Sequence, residues 1–167
     1  MALDDDIAIL SQAPLFNLLG RDALRLVAFA SESRTYREGG VLFRKGDRSD
    51  GGYVVSRGAI ALDASENGSP DAFVVGPGAL IGQAALFARI ERRATATARE
   101  SSAIIRVTPS LMRRVLEEFP DAAAAIQDVM ADELARLTEG LERVRQQLIA
   151  IDGEEIPAKA PEEPEEK

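Results

Sequence analysis

The chain contains no cysteine, no histidine and no tryptophan. Without cysteine there is no disulfide, thiolate nucleophile or iron–sulfur cluster, and with histidine also missing there is no zinc finger and no histidine-ligated haem. A Ser-His-Asp triad is equally out of reach. Metal or acid–base chemistry would have to rest on carboxylates alone. There are 28 Asp and Glu, but no paired constellation stands out among them, and scattered acids are ordinarily solvated surface. Neither an enzyme nor a metal cofactor is expected.

Basic charge is also scarce. Twenty Lys and Arg leave a net charge of −8. From Asp152 to Lys167 there are seven acids and two lysines, so that stretch carries −5 and residues 1–151 carry −3. Duplex binding rests on clustered Lys and Arg, so nucleic acid is not expected as the main partner. No apolar run approaches the roughly 18 residues of a membrane span, and Met1-Ala2-Leu3-Asp4-Asp5-Asp6 lacks the basic start of a signal peptide. A cytoplasmic protein with no membrane contact is the expectation. With 167 residues, 46% apolar and 29% charged, the chain fits one globular domain.

What is present is punctuation. Between Thr35 and Val107, Gly39-Gly40, Gly46-Asp47, Gly51-Gly52, Gly58, Asn67-Gly68, Gly76-Pro77-Gly78 and Gly82 separate short aliphatic segments. Residues 41–43, 53–55, 59–62, 72–75, 94–98 and 103–107 read as strands of a barrel or sandwich, with a hairpin at Asn67-Gly68. Gln83 to Phe87, rich in Ala and Leu, reads as one helical turn inserted between strands. Upstream, Pro14-Leu15-Phe16-Asn17 reads as a turn ending in a helix cap. Leu18, Leu19, Leu24, Val27 and Ala28 then give a helix to about Ser31. Downstream, Thr108 caps a helix with Pro109 at its first position, running to about Glu118.

Pro120-Asp121 begins another helix over 121–151. In it Met130, Leu134, Leu137, Leu141, Val144, Leu148 and Ile151 recur at alternating spacings of four and three, a heptad seam. Such a helix is about 45 Å long, more than a small barrel can cover. The seam therefore predicts a homodimer through a coiled coil, of parallel or antiparallel sense. Residues 152–167 are Pro, Ala, Glu and Lys with almost no apolar side chain and read as a disordered acidic tail.

The candidate site is Ile81-Gly82-Gln83-Ala84-Ala85-Leu86-Phe87 followed by Glu91-Arg92-Arg93. Glycine lets the backbone approach a ligand closely, and successive small residues leave amide N–H groups uncovered. An arginine nine residues after Gln83 can meet an anion through its fork of donors.

These residues, with Gly40-Val41-Leu42-Phe43-Arg44-Lys45-Gly46-Asp47, Asp50, Tyr53, Val55 and Gly58, resemble the cyclic nucleotide-binding domain family, in its Crp/Fnr-like sensor form. Over residues 10–150 the resemblance implies an α+β, mainly β fold: an eight-stranded β-roll or jelly roll with N-terminal helices and a long C-terminal helix, as a domain of residues 1–151. It implies a cyclic nucleotide ligand, cAMP or cGMP. Gly82 then lies by the ribose, the amides of Ala84 and Ala85 face the phosphate, and Arg92 pairs with it, Arg93 being the alternate. It also implies that the long helix supplies a residue over the base, Leu137 or Thr138.

Two letters depart from the family. Gln83 stands where a glutamate usually takes the ribose 2′-hydroxyl, which predicts weaker cAMP or cGMP binding. Arg93 replaces a small residue and favours a ligand with more negative charge. No winged helix-turn-helix follows the long helix, so direct DNA binding is not expected. The expected function is a stand-alone sensor module. The alternative is a ligand-independent interaction module that docks a protein partner through the helix or the acidic tail.

Overall fold

The protein is described by a computed structural model covering residues 2–65 and 72–152. In chain order, α1 (Ala2–Leu10) and α2 (Arg21–Ala30) precede β1 (Glu32–Tyr36), β2 (Val41–Phe43), β3 (Gly52–Arg57), β4 (Ile60–Asp63), β5 (Phe73–Val75) and β6 (Leu80–Ile81). A single 3-10 turn, Gln83–Leu86, interrupts the strands before β7 (Thr95–Ala98) and β8 (Ser102–Val107), and α3 (Pro109–Glu118) and α4 (Pro120–Asp152) follow. The strands pair antiparallel in two four-stranded sheets, ordered β1-β8-β3-β6 and β2-β7-β4-β5. This is the eight-stranded roll that the family resemblance implies, six of whose strands the punctuation predicts.

Alternation explains which residues enter the roll. In β7 the two threonines are half-buried while Ala96 and Ala98 join Tyr53, Val55, Ile60, Ile81 and Ile104 in the core. Methyl-sized side chains at those two positions leave room for the bulkier residues. β3 is buried along Gly52–Val55, on both faces, because α1 packs against it from outside. A second apolar layer of Leu10, Phe16, Val27, Leu86, Met112 and Val115 is fully buried, with α2 against α1 and α3, and α3 against the 3-10 turn. Thr108 Oγ1 accepts from the Leu111 amide at 3.2 Å, the expected cap of α3.

Four elements differ from expectation. α2 opens at Arg21 after an extended Gly20, and Phe16–Leu18 is a 3-10 turn that takes Asn17 out of a capping position. α1 lies ahead of it, in a stretch whose acids mask the helical pattern. β1 is polar, Glu-Ser-Arg-Thr-Tyr, and is a strand because it pairs with β8 from Glu32↔Arg106 to Tyr36↔Ser102. β6 is two residues long and exists through its pairing with β3. The Asn67-Gly68 hairpin lies outside the described residues, although β4 and β5 pair antiparallel as it requires.

Packing divides the chain into two units, one ending at Ile126 and one beginning at Gln127. In the first, Ala122 and Ile126 of α4 are buried. In the second, Leu134, Leu137, Leu141, Val144 and Leu148 are 51–71% exposed and Met130 is half-buried. Ile151 falls within α4, but its side chain, like residues 153–167, lies outside what is described. Among the described residues no helix is long and apolar enough to cross a membrane.

Burial sets the cost of substitution. Ile104→Ala, at a fully buried position between the sheets, is expected to lower unfolding free energy by about 2–5 kcal/mol, against about 0.5 kcal/mol or less for Phe73→Ala on exposed β5. Urea unfolding of both variants checks this.

Candidate functional site

The Gly76-Pro77-Gly78 turn feeds β6, which pairs with β3 and ends at Gly82. Gly82 adopts the left-handed conformation (φ 78°, ψ 60°) and turns the chain into Gln83–Leu86. A Cβ at Gly82 would come within 2.6 Å of Arg92 Nη1, so the glycine is required both for its backbone angle and for the space beside the arginine. The turn closes through Ala85 N donating to Gly82 O at 3.0 Å. Ala85 is buried and its amide is engaged there, so an anion would have to compete for it. Ala84 is exposed and lines the cleft.

Arg92 comes from the other wall. Its backbone is clamped by Arg92 N to Asp47 O and Gly46 N to Arg92 O, each 2.8 Å. One turn earlier Ser49 N donates to Ile90 O at 2.7 Å while the Ser49 hydroxyl accepts from Ile90 N at 2.8 Å. Four bonds therefore hold residues 46–49 and 90–92 as one piece. The side chain runs inward and is 4% exposed. Its guanidinium carbon lies 4.1 Å from the centroid of the Phe43 ring and 5.0 Å from that of Tyr53. Nη2 donates to Gly51 O at 2.6 Å and stands 3.6 Å from Asp50 Oδ1, an ion pair longer than a hydrogen bond. Nε is buried without a partner, and Nη1, against Gly82, has none among the described residues.

A buried guanidinium normally satisfies its donors, because leaving one unmade costs about 1–3 kcal/mol or more for a charged group. Stacking on aromatic rings offsets part of this, by about 2 kcal/mol when desolvated. Arg106 Nε is likewise buried without a partner among the described residues, but only Arg92 of the two lines the cleft.

Behind Arg92 lies a charge network. Asp50 accepts from Tyr53 Oη at 2.6 Å, and from Arg34 Nη1 and Arg106 Nη1 at 3.3 Å each. Glu32 joins them, accepting from Arg34 Nε at 2.9 Å and Arg106 Nη2 at 2.5 Å. Burial pushes the Asp50 carboxyl up, but the Tyr53 hydrogen bond and the charges of Arg106 and Arg34 outweigh it and hold the carboxyl below its ordinary range. Burial, then the bond to Asp50, raises Tyr53 to about 12, so it stays a donor at neutral pH.

The cleft in front of Arg92 has a volume of about 810 Å³. Ile81, Gly82, Gln83, Ala84, Arg92 and Arg93 all line it, together with Phe43, Lys45, Leu62, Ile90, Glu91 and Ala94. Folding thus brings the residues of the predicted cradle together, with Ala85 buried behind them. Arg93 is exposed. Leu137 and Thr138 belong to the unit that begins at Gln127. Both are exposed there, and the Thr138 hydroxyl donates to Leu134 O at 2.9 Å.

Sequence reading missed the role of Phe43 and Tyr53 as a stacking bed, and of Gly51, whose carbonyl holds Arg92. The only local signal is the clustering of Asp50, Gly51 and Tyr53 within four residues.

The class of the domain follows from the combination of this roll, its short helical turn and the buried arginine beside the cleft with the comparisons to known proteins. Residues 33–119, just over half of the chain, match the cyclic nucleotide-binding domain family, and the chain belongs to it. Members of this family are regulatory and usually not catalytic. A cyclic nucleotide-binding-like protein from Brucella abortus bv. 1 str. 9-941 is 39% identical, the match covering 68% of this chain and 99% of that one with a TM-score of 0.61. The regulatory domain of Toxoplasma gondii PKA, solved with cAMP, is 25% identical over 68% of this chain and 44% of its own, with a TM-score of 0.61. A candidate potassium channel protein of Rhodopseudomonas palustris is 21% identical over 129 residues, 77% of this chain. The chain spans about a third, 31%, of that curated relative.

The depressed carboxyl of Asp50 fixes a sign. Its folded pKa lies below the ordinary 3.8, so its pairing stabilises fully above that value and the contribution is lost as pH falls through the lower folded value. Asp50→Asn is expected to flatten the loss of stability between about pH 5 and pH 2, measured by urea midpoints across that range.

Proposed function

We propose that the chain is a sensor module that takes a cyclic nucleotide into the cleft, with its phosphate at Arg92, and signals through α4. The observation that carries this is Arg92: buried, stacked on two rings, and with Nε left without a partner among the described residues. Gly82 and Ala84 border the same cleft and Ile81 gives it an apolar floor, while Gln83 stands where the family places a ribose-binding acid. The related Toxoplasma gondii regulatory domain holds cAMP. A nucleotide held there would lie over Arg92, and the apolar cleft wall would exclude water from the phosphate pair, strengthening it.

Isothermal titration calorimetry tests this. Wild type is expected to release heat with cAMP or cGMP. Arg92→Ala, shown folded by circular dichroism, should lose about 100-fold or more in affinity, since truncating one partner of a buried charge pair costs roughly 2–5 kcal/mol. Gln83→Glu is expected to raise cAMP affinity about tenfold by restoring a charged acceptor. Absence of heat with both nucleotides overturns the proposal.

The readout rests on α4. Its second unit leaves Leu134, Leu137, Leu141, Val144 and Leu148 exposed at heptad spacing, and such a stripe is stable only when covered. The proposed cover is a second copy of the same helix, with ligand selecting one packing of the pair. Sedimentation velocity is expected to show a dimer for wild type and a monomer for the Leu137→Glu, Leu141→Glu double variant. A monomeric wild type rejects the dimer.

A further inference from the structure

The cleft carries more positive charge than one cyclic phosphate needs. Arg92 already faces the Gly51 carbonyl and Asp50, and the cleft lining adds Arg93 and Lys45. Glu91 is the one carboxylate among the described lining residues. Arg93 is exposed and makes no hydrogen bond or ion pair among the described residues. Among the described residues Lys45 Nζ donates to a neutral group, Ala64 O at 3.0 Å. Neither cation meets an acid among the described residues.

The two cations also belong to one piece of structure. Lys45 N donates to Thr95 Oγ1 at 3.0 Å, which ties its loop to the start of β7, just after Arg93. The bonds between Gly46 and Arg92 and between Arg92 and Asp47 lock the same two segments together on the other side of Lys45. The segments that carry Lys45 and Arg93 are therefore held together, and both residues line the cleft with the buried Arg92. Gln83 adds to this by its chemistry: it is neutral, where a carboxylate would repel a second anion over a few ångströms. The cleft, at about 810 Å³, lies in the upper part of the roughly 300–1,000 Å³ range of ligand pockets.

We infer that the ligand of this cleft carries two phosphate groups, one met by Arg92 and the other by Arg93 and Lys45. This rests on the reading that Arg92 holds a phosphate. The shared chemistry is a nucleotide with two separated phosphates, supplied either by a cyclic dinucleotide or by a nucleoside 3′,5′-bisphosphate.

Calorimetry on the full chain with three probes tests it: cAMP with one phosphate, and cyclic di-AMP and adenosine 3′,5′-bisphosphate with two. At least one two-phosphate probe is expected to bind about tenfold or more tightly than cAMP, the size of one charge-assisted hydrogen bond. Its affinity should also fall more steeply with salt. Which of the two binds better identifies the source. Arg93→Gln, at an exposed position, should bring the ratio of the two affinities close to one, and Lys45→Gln should lower it in the same direction. Equal or tighter binding of cAMP in wild type overturns the inference while leaving the cassette reading intact, as does an Arg93→Gln variant that keeps the wild-type ratio. No binding of any probe overturns the phosphate reading and this inference with it.

Discussion

A guanidinium taken out of water is costly unless its charge and its donors are met, and most of this roll is arranged around one such group. Arg92 is met by residues distant in sequence: Phe43 at the end of β2, Asp50 and Gly51 before β3, Tyr53 within β3, and Gly82 after β6. Each supplies something different. The rings give polarisable faces, the carbonyl an acceptor, the carboxylate a counter-charge and the glycine an empty space. None of them uses Nε or Nη1. The burial is therefore complete enough to fix the side chain while Nε stays without a partner among the described residues.

The same arrangement connects the cleft to the opposite sheet edge. Asp50 is shared by Tyr53, Arg34, Arg106 and, at longer range, Arg92, and Glu32 bridges the two outer arginines. β1 and β8 are paired strands, so these charges are held by backbone as well as by side chains. A contiguous network thus runs from Arg92 to β1, and its central acid is shared among several cations.

Much of this fold is legible before any coordinate is known. Turn glycines between aliphatic runs predict most of the strands, Thr108-Pro109 predicts the start of α3, and the family resemblance points to Arg92 with Arg93 as the alternate. Folding buries Arg92 and leaves Arg93 exposed. The elements that escape reading are those with no local signature. β1 is a polar pentapeptide whose extension depends on β8, and β6 is two residues long and depends on β3. The Ala85 amide looks uncovered in a run of small residues, yet it is consumed by Gly82 O in closing the turn. Small side chains announce access; they do not announce which hydrogen bonds the backbone has already made.

Composition and periodicity alone decide which cysteine and histidine chemistry is excluded, where most strands and helices fall, and that α4 carries an apolar seam. These are properties of residue type and short-range spacing, and they survive without any long-range contact. The stacking bed of Phe43 and Tyr53, the grip of Gly51 on Arg92, the network around Asp50 and the meeting of Lys45 and Arg93 at one cleft are decided only in three dimensions. Each joins residues well apart in the chain, up to the seventy-four positions between Glu32 and Arg106. A pattern read along the chain has no term for two side chains that meet only after both sheets have closed.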